Sequence, residues 1–375
     1  MNNKFLTTVL GAAMTICTFS TAQAQDTLVS SNGYAAMDES GKLVPYKFER
    51  RAVGQNDVLL KIMYSGVCHS DIHDAHNDWG FTVYPTVPGH EIVGKVIEKG
   101  DSVTRFQVGD ILGVAGGTIN SCGECEMCQA GEEQYCTNPN IHEDGHNVVE
   151  LGGYSDNIVV NERLCVRIPA NAQIEKVAPL MCAGITVYSP LKSAVKKGDK
   201  VGIAGFGGLG HMALQYAVAF GAEATVFDIT EEKRELALQM GAKRYVNVNR
   251  HEDLADIISD FNYIITTIPA SYDILQYLNM LKTGGELMIV GLPSLKDAPS
   301  IPILAMPFGR KISKWLMGGV KETQEMVDYS VKNGIYPRVE LIPIEQVNEA
   351  FQNVIDGKVH SRYVIDMTKN KKMSE

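Results

Sequence analysis

Four cysteines lie close together in the first half of the chain. Cys122, Cys125, Cys128 and Cys136 place four thiols within 15 residues. Four thiolates at such spacing are the ligands of a closed tetrahedral zinc site, which stabilises a loop and does no chemistry itself. Two disulfides are the alternative, but paired Cys-x-x-Cys spacings suit one metal ion better than two strained small loops. The spacing therefore predicts a structural zinc lobe at residues 122–136.

Three further residues have side chains that bind catalytic metals, and they are far apart in the sequence. Cys68 begins the run CHSDIH, His90 lies in VPGHE, and Cys182 lies in LMCAG. Two cysteines and one histidine with an open fourth position are the pattern of a catalytic zinc site. Taken singly, each cysteine is more often a small buried hydrophobe. No spacing rule joins Cys68 to Cys182.

A glycine-rich segment predicts a phosphate-binding turn. It contains Gly205, Gly207, Gly208, Leu209 and Gly210, follows an apolar run and opens a helical pattern. In that context the glycines allow a tight turn and a close approach of backbone to a pyrophosphate at a helix N-terminus. Asp228 follows 18 positions after Gly210, where a carboxylate binds ribose hydroxyls and repels a 2′-phosphate. This favours NAD over NADP; the alternative is a glycine-rich turn with an ordinary surface aspartate.

The surrounding sequence predicts two kinds of structure. From about Tyr34 to Val166, short apolar runs and frequent turns predict an irregular β domain. After Pro190, strands alternate with helices, which predicts a parallel α/β sheet. The expected elements are a strand at 200–204, helices at 211–220 and 231–240, strands at 224–228, 263–267 and 285–291, and two helices and a strand within 323–367.

Composition and charge exclude several classes of protein. The chain has 375 residues, 45% of them hydrophobic and 21% charged, an ordinary globular composition that is long enough for two domains. Its 44 acidic residues outnumber 34 basic ones, for a net charge of −10, which offers no electrostatic footprint for nucleic acid. Eight cysteines are too few for a disulfide scaffold.

Residues 1–24 have the pattern of a secretory signal peptide. Lys4 supplies the positive charge, an apolar run of 12 residues extends from Phe5 to Ile16, and Ala22-Gln23-Ala24 is a small-x-small cleavage site. The apolar run is too short to span a bilayer as a helix. We therefore expect a periplasmic or secreted protein that has no membrane segment after processing. A misassigned start codon would instead make the protein cytoplasmic.

From about Val58 to Asp366 the chain resembles the zinc-dependent alcohol dehydrogenases of the medium-chain dehydrogenase/reductase superfamily. Within them it is similar to the cinnamyl-alcohol-dehydrogenase-like branch, which includes bacterial aldehyde reductases. The segments that carry the resemblance are GVCHSD (66–71), VPGHEIVG (87–94), CGECEMCQAGEEQYC (122–136), GGYS (152–155), APLMCAGITVYSPL (178–191), GFGGLGH (205–211) and RYVID (362–366). It implies an α/β fold with a GroES-like, mainly β catalytic domain at 25–183, a Rossmann NAD(P)-binding domain at 184–319, and a C-terminal segment at 320–375 that returns to the catalytic domain.

The resemblance also implies roles for the residues around the metal. Cys68, His90 and Cys182 would bind the catalytic zinc, and Glu91 would lie behind the metal as an alternate or supporting carboxylate. Asp71 would accept a hydrogen bond from the His90 ring and determine its tautomer. With the cysteine lobe, this implies two zinc ions per chain.

Further residues would serve the proton and the cofactor. Ser70 would hydrogen-bond the alcohol oxygen, and His73 would relay its proton through the nicotinamide ribose; the alternative is a local turn cap and a surface histidine. Thr186 would lie against the nicotinamide ring, Arg362 near the pyrophosphate, and His69 where relatives often carry a phosphate-binding residue.

The sequence departs from this branch at two places. Relatives commonly carry hydroxyl residues where Asp228 stands and prefer NADP, although Lys233 and Arg234 remain as in those relatives. NAD is therefore favoured on the carboxylate argument, and NADP is possible. The branch often has an aromatic residue before the cysteine lobe, but residues 114–120 contain none. Trp79 is either a pocket residue or a packing anchor.

The expected function is the interconversion of a primary alcohol and its aldehyde by hydride transfer with a nicotinamide cofactor. The alternative is an exported zinc-binding protein that keeps this fold without catalysis, because nicotinamide dinucleotides are scarce outside the cytoplasm. We expect a homodimer or homotetramer. The apolar segment at 301–308 could pair sheets across a dimer, although core packing would explain it equally well.

Overall fold

The computed structural model describes residues 27–116, 121–137, 152–254, 256–359 and 361–369. The predicted signal peptide at 1–24 lies outside these ranges. Within them, we find no helix with the length and apolar character needed to cross a membrane.

The described strands and helices are numbered along the chain. The strands are β1 (Val29–Ala36), β2 (Leu43–Arg50), β3 (Asp57–Gly66), β4 (Ile92–Lys99), β5 (Ile111–Val114), β6 (Asn157–Asn161), β7 (Cys165–Arg167), β8 (Lys200–Ala204), β9 (Glu223–Asp228), β10 (Arg244–Asn247), β11 (Phe261–Thr266), β12 (Leu281–Ile289), β13 (Lys311–Lys314), β14 (Val339–Ile342) and β15 (Arg362–Asp366). The helices are α1 (His69–Ala75), α2 (Glu126–Ala130), α3 (Ala183–Ala194), α4 (Gly208–Ala219), α5 (Arg234–Gln239), α6 (His251–Leu254), α7 (Ile274–Met280), α8 (Val320–Asn333) and α9 (Val347–Ile355).

The predicted parallel sheet has six strands in the order β10-β9-β8-β11-β12-β13. All of its pairings are parallel. The strand order runs outward in both directions from β8 and β11, so the connections diverge there and open a crevice at the carboxyl ends of these strands. This is the Rossmann arrangement, and the crevice is where such a sheet binds a dinucleotide.

Apolar residues cover both faces of the parallel sheet. In β9, Val226 belongs to the larger core cluster and Phe227 to a separate, smaller one, because successive residues of a strand point to opposite faces. The larger cluster continues through α3 into a second sheet, which is described next. A sheet buried on both sides needs continuous apolar strands, and this accounts for the sequence patterns that predicted it.

The second sheet is built mainly from the first part of the chain. Its order is β14-β15-β3-β4-β5-β7, with β6 also pairing to β3. The strand β15 pairs antiparallel to β3, so that Val364 lies opposite Gly66. The C-terminal strands therefore join the N-terminal sheet, which brings Arg362 next to the residues that follow β3.

Two helix boundaries differ from the sequence prediction. The helix expected from 211 begins at Gly208, so the glycine turn leads directly into α4. The helix expected from 231 begins only at Arg234. The carboxylate of Asp228 accepts hydrogen bonds from the backbone N–H groups of Ile229 and Thr230, and this local turn delays the start of α5.

Candidate active site

Four side chains from three distant segments form one buried cluster: Cys68, His90, Glu91 and Cys182. Their potential ligand atoms all lie within 4.8 Å of one another. Cys68 is the N-cap of α1, directly after β3, and Cys182 is the N-cap of α3. His90 and Glu91 directly precede β4. The fold therefore unites the scattered residues that the sequence could connect only through resemblance.

Asp71 organises this cluster through four hydrogen bonds. Its Oδ1 pairs with His90 Nδ1 at 2.8 Å and accepts from the Gly89 N–H at 3.0 Å. Its Oδ2 accepts from the Cys68 N–H and from the Tyr154 hydroxyl, both at 2.9 Å. Because Nδ1 of His90 is occupied, its Nε2 is the nitrogen left to bind a metal.

The electrostatics of the buried cluster favour a thiolate at Cys68, whereas the hydrogen bond to Cys68 and burial raise the pKa of Cys182 well above its usual value. A hydrogen bond from the Cys182 thiol lowers the pKa of Cys68 well below its usual value, against the effect of burial. Burial lowers the pKa of His90, but the charges of Asp71 and Cys182 outweigh it and raise that pKa overall. Burial also raises the pKa of Glu91 to about 8, although the Arg362 charge opposes the shift. Such a concentration of buried acidic groups fits a site made for a cation.

The donor set of the buried cluster fits zinc. Two sulfurs and one imidazole are ligands that zinc prefers. Glu91 forms an ion pair with Arg362 through Oε1, while its Oε2 is buried and has no hydrogen-bond partner within the described ranges. Gly66 lies directly against this carboxylate, and a Cβ there would overlap Oε2. Glu91 is therefore close enough to supply either a carboxylate oxygen as the fourth ligand of a zinc ion or a supporting negative charge beside it.

The cysteine lobe, residues 122–136, also fits one zinc ion. The sulfurs of Cys122 and Cys128 are 3.8 Å apart, as are those of Cys125 and Cys136, while Cys136 and Cys122 are separated by 3.6 Å. A tetrahedral zinc with bonds of about 2.3 Å separates its sulfurs by about 3.8 Å. All four cysteines are free thiols, so the disulfide alternative does not hold in this structure.

Backbone N–H groups support the thiolates of the lobe. Those of Glu124 and Cys125 both donate to Cys122 Sγ at 3.3 Å. Backbone hydrogen bonds lower the pKa of Cys125 to about 6. Negative sulfur is therefore favoured at Cys125 before a metal binds, as a zinc ligand requires, whereas burial raises the pKa of Cys128.

One cavity of about 1080 Å³ connects the buried cluster with the dinucleotide turn. Gly205 has a φ of +89°, which favours glycine. A Cβ on Gly210 would overlap the Gly205 carbonyl oxygen. Gly207 caps α4 and faces open space, while Gly208 and Leu209 also line the cavity. The N-terminus of α4 is thus accessible to an anionic group such as a pyrophosphate.

Asp228 also lines this cavity and accepts hydrogen bonds from several protein donors. Its Oδ2 accepts from the Phe206 N–H at 2.7 Å, and its Oδ1 accepts from Ile229 and Thr230. Lys233 Nζ lies 3.2 and 3.3 Å from the two carboxylate oxygens. The carboxylate is therefore held rigidly, and Lys233 is neutralised by it.

The other proposed cofactor residues line the same cavity: Thr186, His69 and Arg362. Thr186 follows Cys182 by one helical turn, and its hydroxyl oxygen is buried with no hydrogen-bond partner in the described part of the chain. Arg362 packs against Gly208, where a Cβ would overlap its side chain. An orphaned hydroxyl and an open glycine turn in one cavity fit a bound nicotinamide dinucleotide.

Ser70 and His73 occupy different positions relative to the cavity. Ser70 lines it, with Oγ 3.9 Å from Cys68 Sγ. His73 is 8% exposed and packs against Trp79 in a tilted arrangement with ring centroids 5.1 Å apart, so it is not a surface histidine. Its Nδ1 pairs with Asp78 Oδ2 at 2.7 Å, whereas Nε2 is buried and has no partner among the residues described.

Sequence reasoning missed the roles of Tyr154, Asp78 and Phe81, which the structure connects to the site, and left that of Trp79 open. Tyr154 was part of a matching segment, but only the fold shows its hydroxyl on Asp71. Asp78 follows His73 by five positions, which no motif singled out. Trp79 lines the cavity and donates through Nε1 to the Pro293 carbonyl at 3.2 Å, so it serves both of the roles considered for it. Phe81 stacks on Trp79 and supplies the aromatic wall that residues 114–120 lack.

Comparisons with known proteins agree with this geometry. The model of the alcohol dehydrogenase GroES-like domain matches residues 54–170, and that of the zinc-binding dehydrogenase matches residues 208–332. A mannitol dehydrogenase of Apium graveolens is 43% identical over 357 residues, which are 92% of this chain and 96% of the relative.

Solved structures give the same result in three dimensions. CAD from Helicobacter pylori, complexed with NADP(H), is 45% identical with a TM-score of 0.86, over 92% of this chain and 99% of that chain. Cinnamyl alcohol dehydrogenase of Sorghum bicolor is 36% identical with a TM-score of 0.87, over 92% and 100% of the two chains. Family models, sequence and structure therefore indicate one common ancestry.

Proposed function

The chain belongs to the zinc-dependent alcohol dehydrogenases of the medium-chain dehydrogenase/reductase superfamily, in the cinnamyl-alcohol-dehydrogenase-like branch. From this we propose which of its residues bind the metals, bind the cofactor and transfer the proton. It is an oxidoreductase that interconverts alcohols and aldehydes. The alternative of a zinc-binding protein without catalysis has no support. The observation that carries the proposal is that Cys68, His90 and Cys182 of the buried cluster line one cavity together with the glycine turn.

Cys68, His90 and Cys182 would hold the catalytic metal, with Glu91 behind it, and the four lobe cysteines would hold a second, structural zinc. Zinc bound in the buried cluster would supply Lewis-acid polarisation of the substrate oxygen, and a bound nicotinamide cofactor would supply the hydride chemistry. The contribution of the protein is to position the metal ligands and the cofactor. Asp71 orients the His90 ring, and the N–H groups at the start of α4 receive the pyrophosphate.

Ser70 and His73 would move the proton of the substrate hydroxyl. Ser70 lies beside Cys68 in the cavity and can accept a hydrogen bond from that hydroxyl. Because Asp78 binds Nδ1 of His73, Nε2 is left to accept a proton. The His73 ring contacts Trp79, which lines the cavity, so His73 would exchange its proton with Ser70 only through an intervening group such as a ribose hydroxyl of the cofactor. Asp78 acts as the positioning residue of His73.

The experiment that tests this function combines metal analysis with kinetics. Purified protein should contain close to two zinc ions per chain and should reduce aldehydes with NADH or NADPH. Removal of the metal with a chelator should abolish turnover, and added zinc should restore it. Absence of turnover with both cofactors over a broad aldehyde panel would overturn the proposal.

NAD is the cofactor that the charges around Asp228 favour. A 2′-phosphate needs an unpaired cation, but Lys233 pairs with Asp228 and Arg234 pairs with Glu231. Asp228→Ser should free Lys233 and raise the ratio of kcat/KM for NADPH over NADH by about tenfold, the effect of about 1.4 kcal/mol. Asp256→Ser, which changes an exposed carboxylate of the same sheet domain, should leave the ratio unchanged. An unaltered ratio in Asp228→Ser would refute the charge argument.

We also propose a homodimer formed by the edge of the parallel sheet, which could pair further into a homotetramer. The strand β13 is the last of the six, and next to it Leu304 and Phe308 are 103% and 95% exposed. This exposure argues against core packing as the reason for the apolar segment. Light scattering should give a dimer or tetramer for the native chain and a monomer for Leu304→Glu. Ile258→Glu, at an exposed apolar residue elsewhere, should leave the mass unchanged; a monomeric native chain would contradict the proposal.

The pattern of residues 1–24 supports export, as periplasmic or secreted protein. N-terminal sequencing of the protein from its native cells should find a chain that begins near Gln25. A native chain that retains residues 1–24 in the cytoplasm would refute this proposal.

A further inference from the structure

Three carboxylates line the cavity, and they differ in what they bind. They are Asp71, Asp74 and Asp228. Asp71 accepts four hydrogen bonds from its surroundings. Asp228 accepts from three backbone N–H groups, one hydroxyl and Lys233. The side chain of Asp74 receives neither a hydrogen bond nor an ion pair from the residues that the structure describes.

The backbone around Asp74 is fixed, although its carboxylate is not engaged. Its carbonyl oxygen accepts from the Thr82 hydroxyl at 2.9 Å, and the Tyr84 hydroxyl donates to the next carbonyl, that of Ala75, also at 2.9 Å. The side chain is partly buried, and its burial together with the charge of Asp71 raises its pKa to about 7. A rigidly placed, poorly solvated carboxylate without a protein donor is ready to accept one from a ligand.

The helix α1 places Asp74 on the substrate side of the buried cluster. Ser70 and Asp74 are four residues apart on α1, so they share a face of the helix. The Cβ atoms at this spacing are about 5–6 Å apart, and an extended run of four bonds of about 1.5 Å with tetrahedral angles spans about 5 Å. A substrate whose reacting oxygen lies at Ser70 can therefore present a second group to Asp74.

The remaining charges of the cavity do not offset Asp74. Its basic lining residues are Lys233, Lys314 and Arg362, of which Lys233 pairs with Asp228 and Arg362 with Glu91. No ion pair connects Lys314 with Asp74 in the described structure. Aromatic and apolar side chains such as Trp79, Phe81 and Val87 line the same cavity and carry no positive charge. The Asp74 carboxylate would therefore repel an anionic group of the substrate without a compensating cation.

We propose that Asp74 is a specificity residue that selects substrates carrying a neutral hydrogen-bond donor, such as a second hydroxyl, about four bonds from the reacting carbon, and that rejects substrates with an anionic group there. This inference rests on the proposed function of the same cavity. It names the substrate class as hydroxylated alcohols and aldehydes. Aldehydes that carry a carboxylate at that distance are excluded.

Three alcohols of matched length test this selection. 1,4-Butanediol has its second hydroxyl four bonds from the reacting carbon, 1-pentanol has a methyl group there, and 5-hydroxypentanoate has a carboxylate. A hydrogen bond to a charged acceptor contributes about tenfold or more. The native enzyme should therefore oxidise the diol with a kcat/KM about tenfold above that of 1-pentanol, and the hydroxy acid least of all.

Two variants separate hydrogen bonding from charge. Asp74→Leu should remove the preference for the diol, so that 1-pentanol becomes the better substrate. Asp74→Asn keeps an acceptor without charge, so the diol preference should survive in part and 5-hydroxypentanoate should gain about tenfold. Asp101→Asn, at an exposed loop residue outside the cavity, should leave all three ratios unchanged.

The outcomes distinguish this inference from the function on which it rests. If the native enzyme and Asp74→Leu show the same ratio of diol to 1-pentanol, Asp74 does not select and the inference is wrong, whereas the alcohol dehydrogenase stands. If the native, zinc-loaded enzyme turns over no alcohol or aldehyde with either cofactor, the proposed function itself fails.

Discussion

The two cysteine clusters of this protein are built in opposite ways. The lobe takes its four ligands from 15 consecutive residues, and three of its cysteines are partly exposed. The buried cluster combines residues from 68 to 182, and its two cysteines are 4% and 7% exposed. A local ligand set depends on one loop, whereas the distributed set exists only when β3, β4 and α3 are packed together.

This difference in construction implies a difference in function. Metal binding at a closed site of four thiolates contributes to folding, because the unfolded chain does not hold the ligands together. The buried cluster opens onto the cavity, and we propose that it leaves one ligand position of its metal to the substrate. We therefore expect the lobe to control stability and the buried cluster to control turnover.

Loss of a ligand from the buried cluster should have the largest effect on activity. In Cys182→Ser the hydroxyl is a poor zinc ligand, and the lost polarisation, several kcal/mol, should reduce kcat/KM by about 10³-fold or more. The zinc content should fall from two ions to one, and the melting temperature should change little. These quantities are measured by steady-state kinetics, metal analysis and thermal unfolding. Full activity with one zinc ion would show that the buried cluster is not the reaction centre.

Loss of a ligand from the lobe should give the reverse result. Cys125→Ser should also retain one zinc ion, but its melting temperature should fall by about 10 °C, since a structural metal contributes several kcal/mol to folding. Activity measured at 20 °C should remain near the native value. A folded Cys125→Ser protein without activity would break the division between the clusters.

The same contrast explains how much could be predicted from the sequence. The spacing of the lobe cysteines and the glycine turn carry their chemistry within one short segment, so both were recognisable from residues alone. The parallel sheet was recognisable too, because each buried strand is a continuous apolar run. The buried cluster was accessible only through resemblance, since no local rule connects Cys68 with Cys182.

Side-chain partners that depend on packing were beyond the sequence. The Tyr154 hydroxyl reaches Asp71 across 83 positions of sequence, and the free carboxylate of Asp74 is recognisable only when every neighbour is known. The late start of α5 is a local case: the Asp228 carboxylate competes for backbone N–H groups that a helical pattern alone assigns to the helix.

Substitution of Asp71, which orients the His90 ring, should have an intermediate effect on activity. It tests whether the charge of Asp71 contributes to the function of the buried cluster. Asp71→Asn removes the charge that orients the imidazole, and loss of such a partner typically costs 10–100-fold in activity or metal affinity. Tyr154→Phe is the matched control, because it removes one donor to Asp71 and leaves the carboxylate on His90. It should cost less than about fivefold. Kinetics and zinc content should be measured for both; equal losses would mean that the charge of Asp71 is unimportant.

The smallest effect on the melting temperature is expected from substitution of Glu133, through which the lobe contacts the N-terminus of α8. Glu133, in the lobe, accepts a hydrogen bond from the Val320 N–H at 3.1 Å, and so supplies the side-chain cap that the N-terminus of α8 lacks. Removal of such a cap costs about 1 kcal/mol, which lowers the melting temperature of a chain of this size by about 2 °C. Glu133→Ala should show this loss, Glu133→Gln should recover part of it, and Glu124→Ala, at an exposed lobe residue, should show none.

Activity is the decisive second readout for Glu133. The helix α8 packs on α3, and α3 carries Cys182 at its N-cap and Thr186 in the cavity. If the lobe affects only stability, kcat/KM of Glu133→Ala at 20 °C stays within about twofold of the native value, because 1 kcal/mol of helix capping is lost without a change at the reacting atoms. A larger loss at unchanged zinc content would show that the lobe also positions α3, and the two clusters would then be one coupled unit rather than two separate devices.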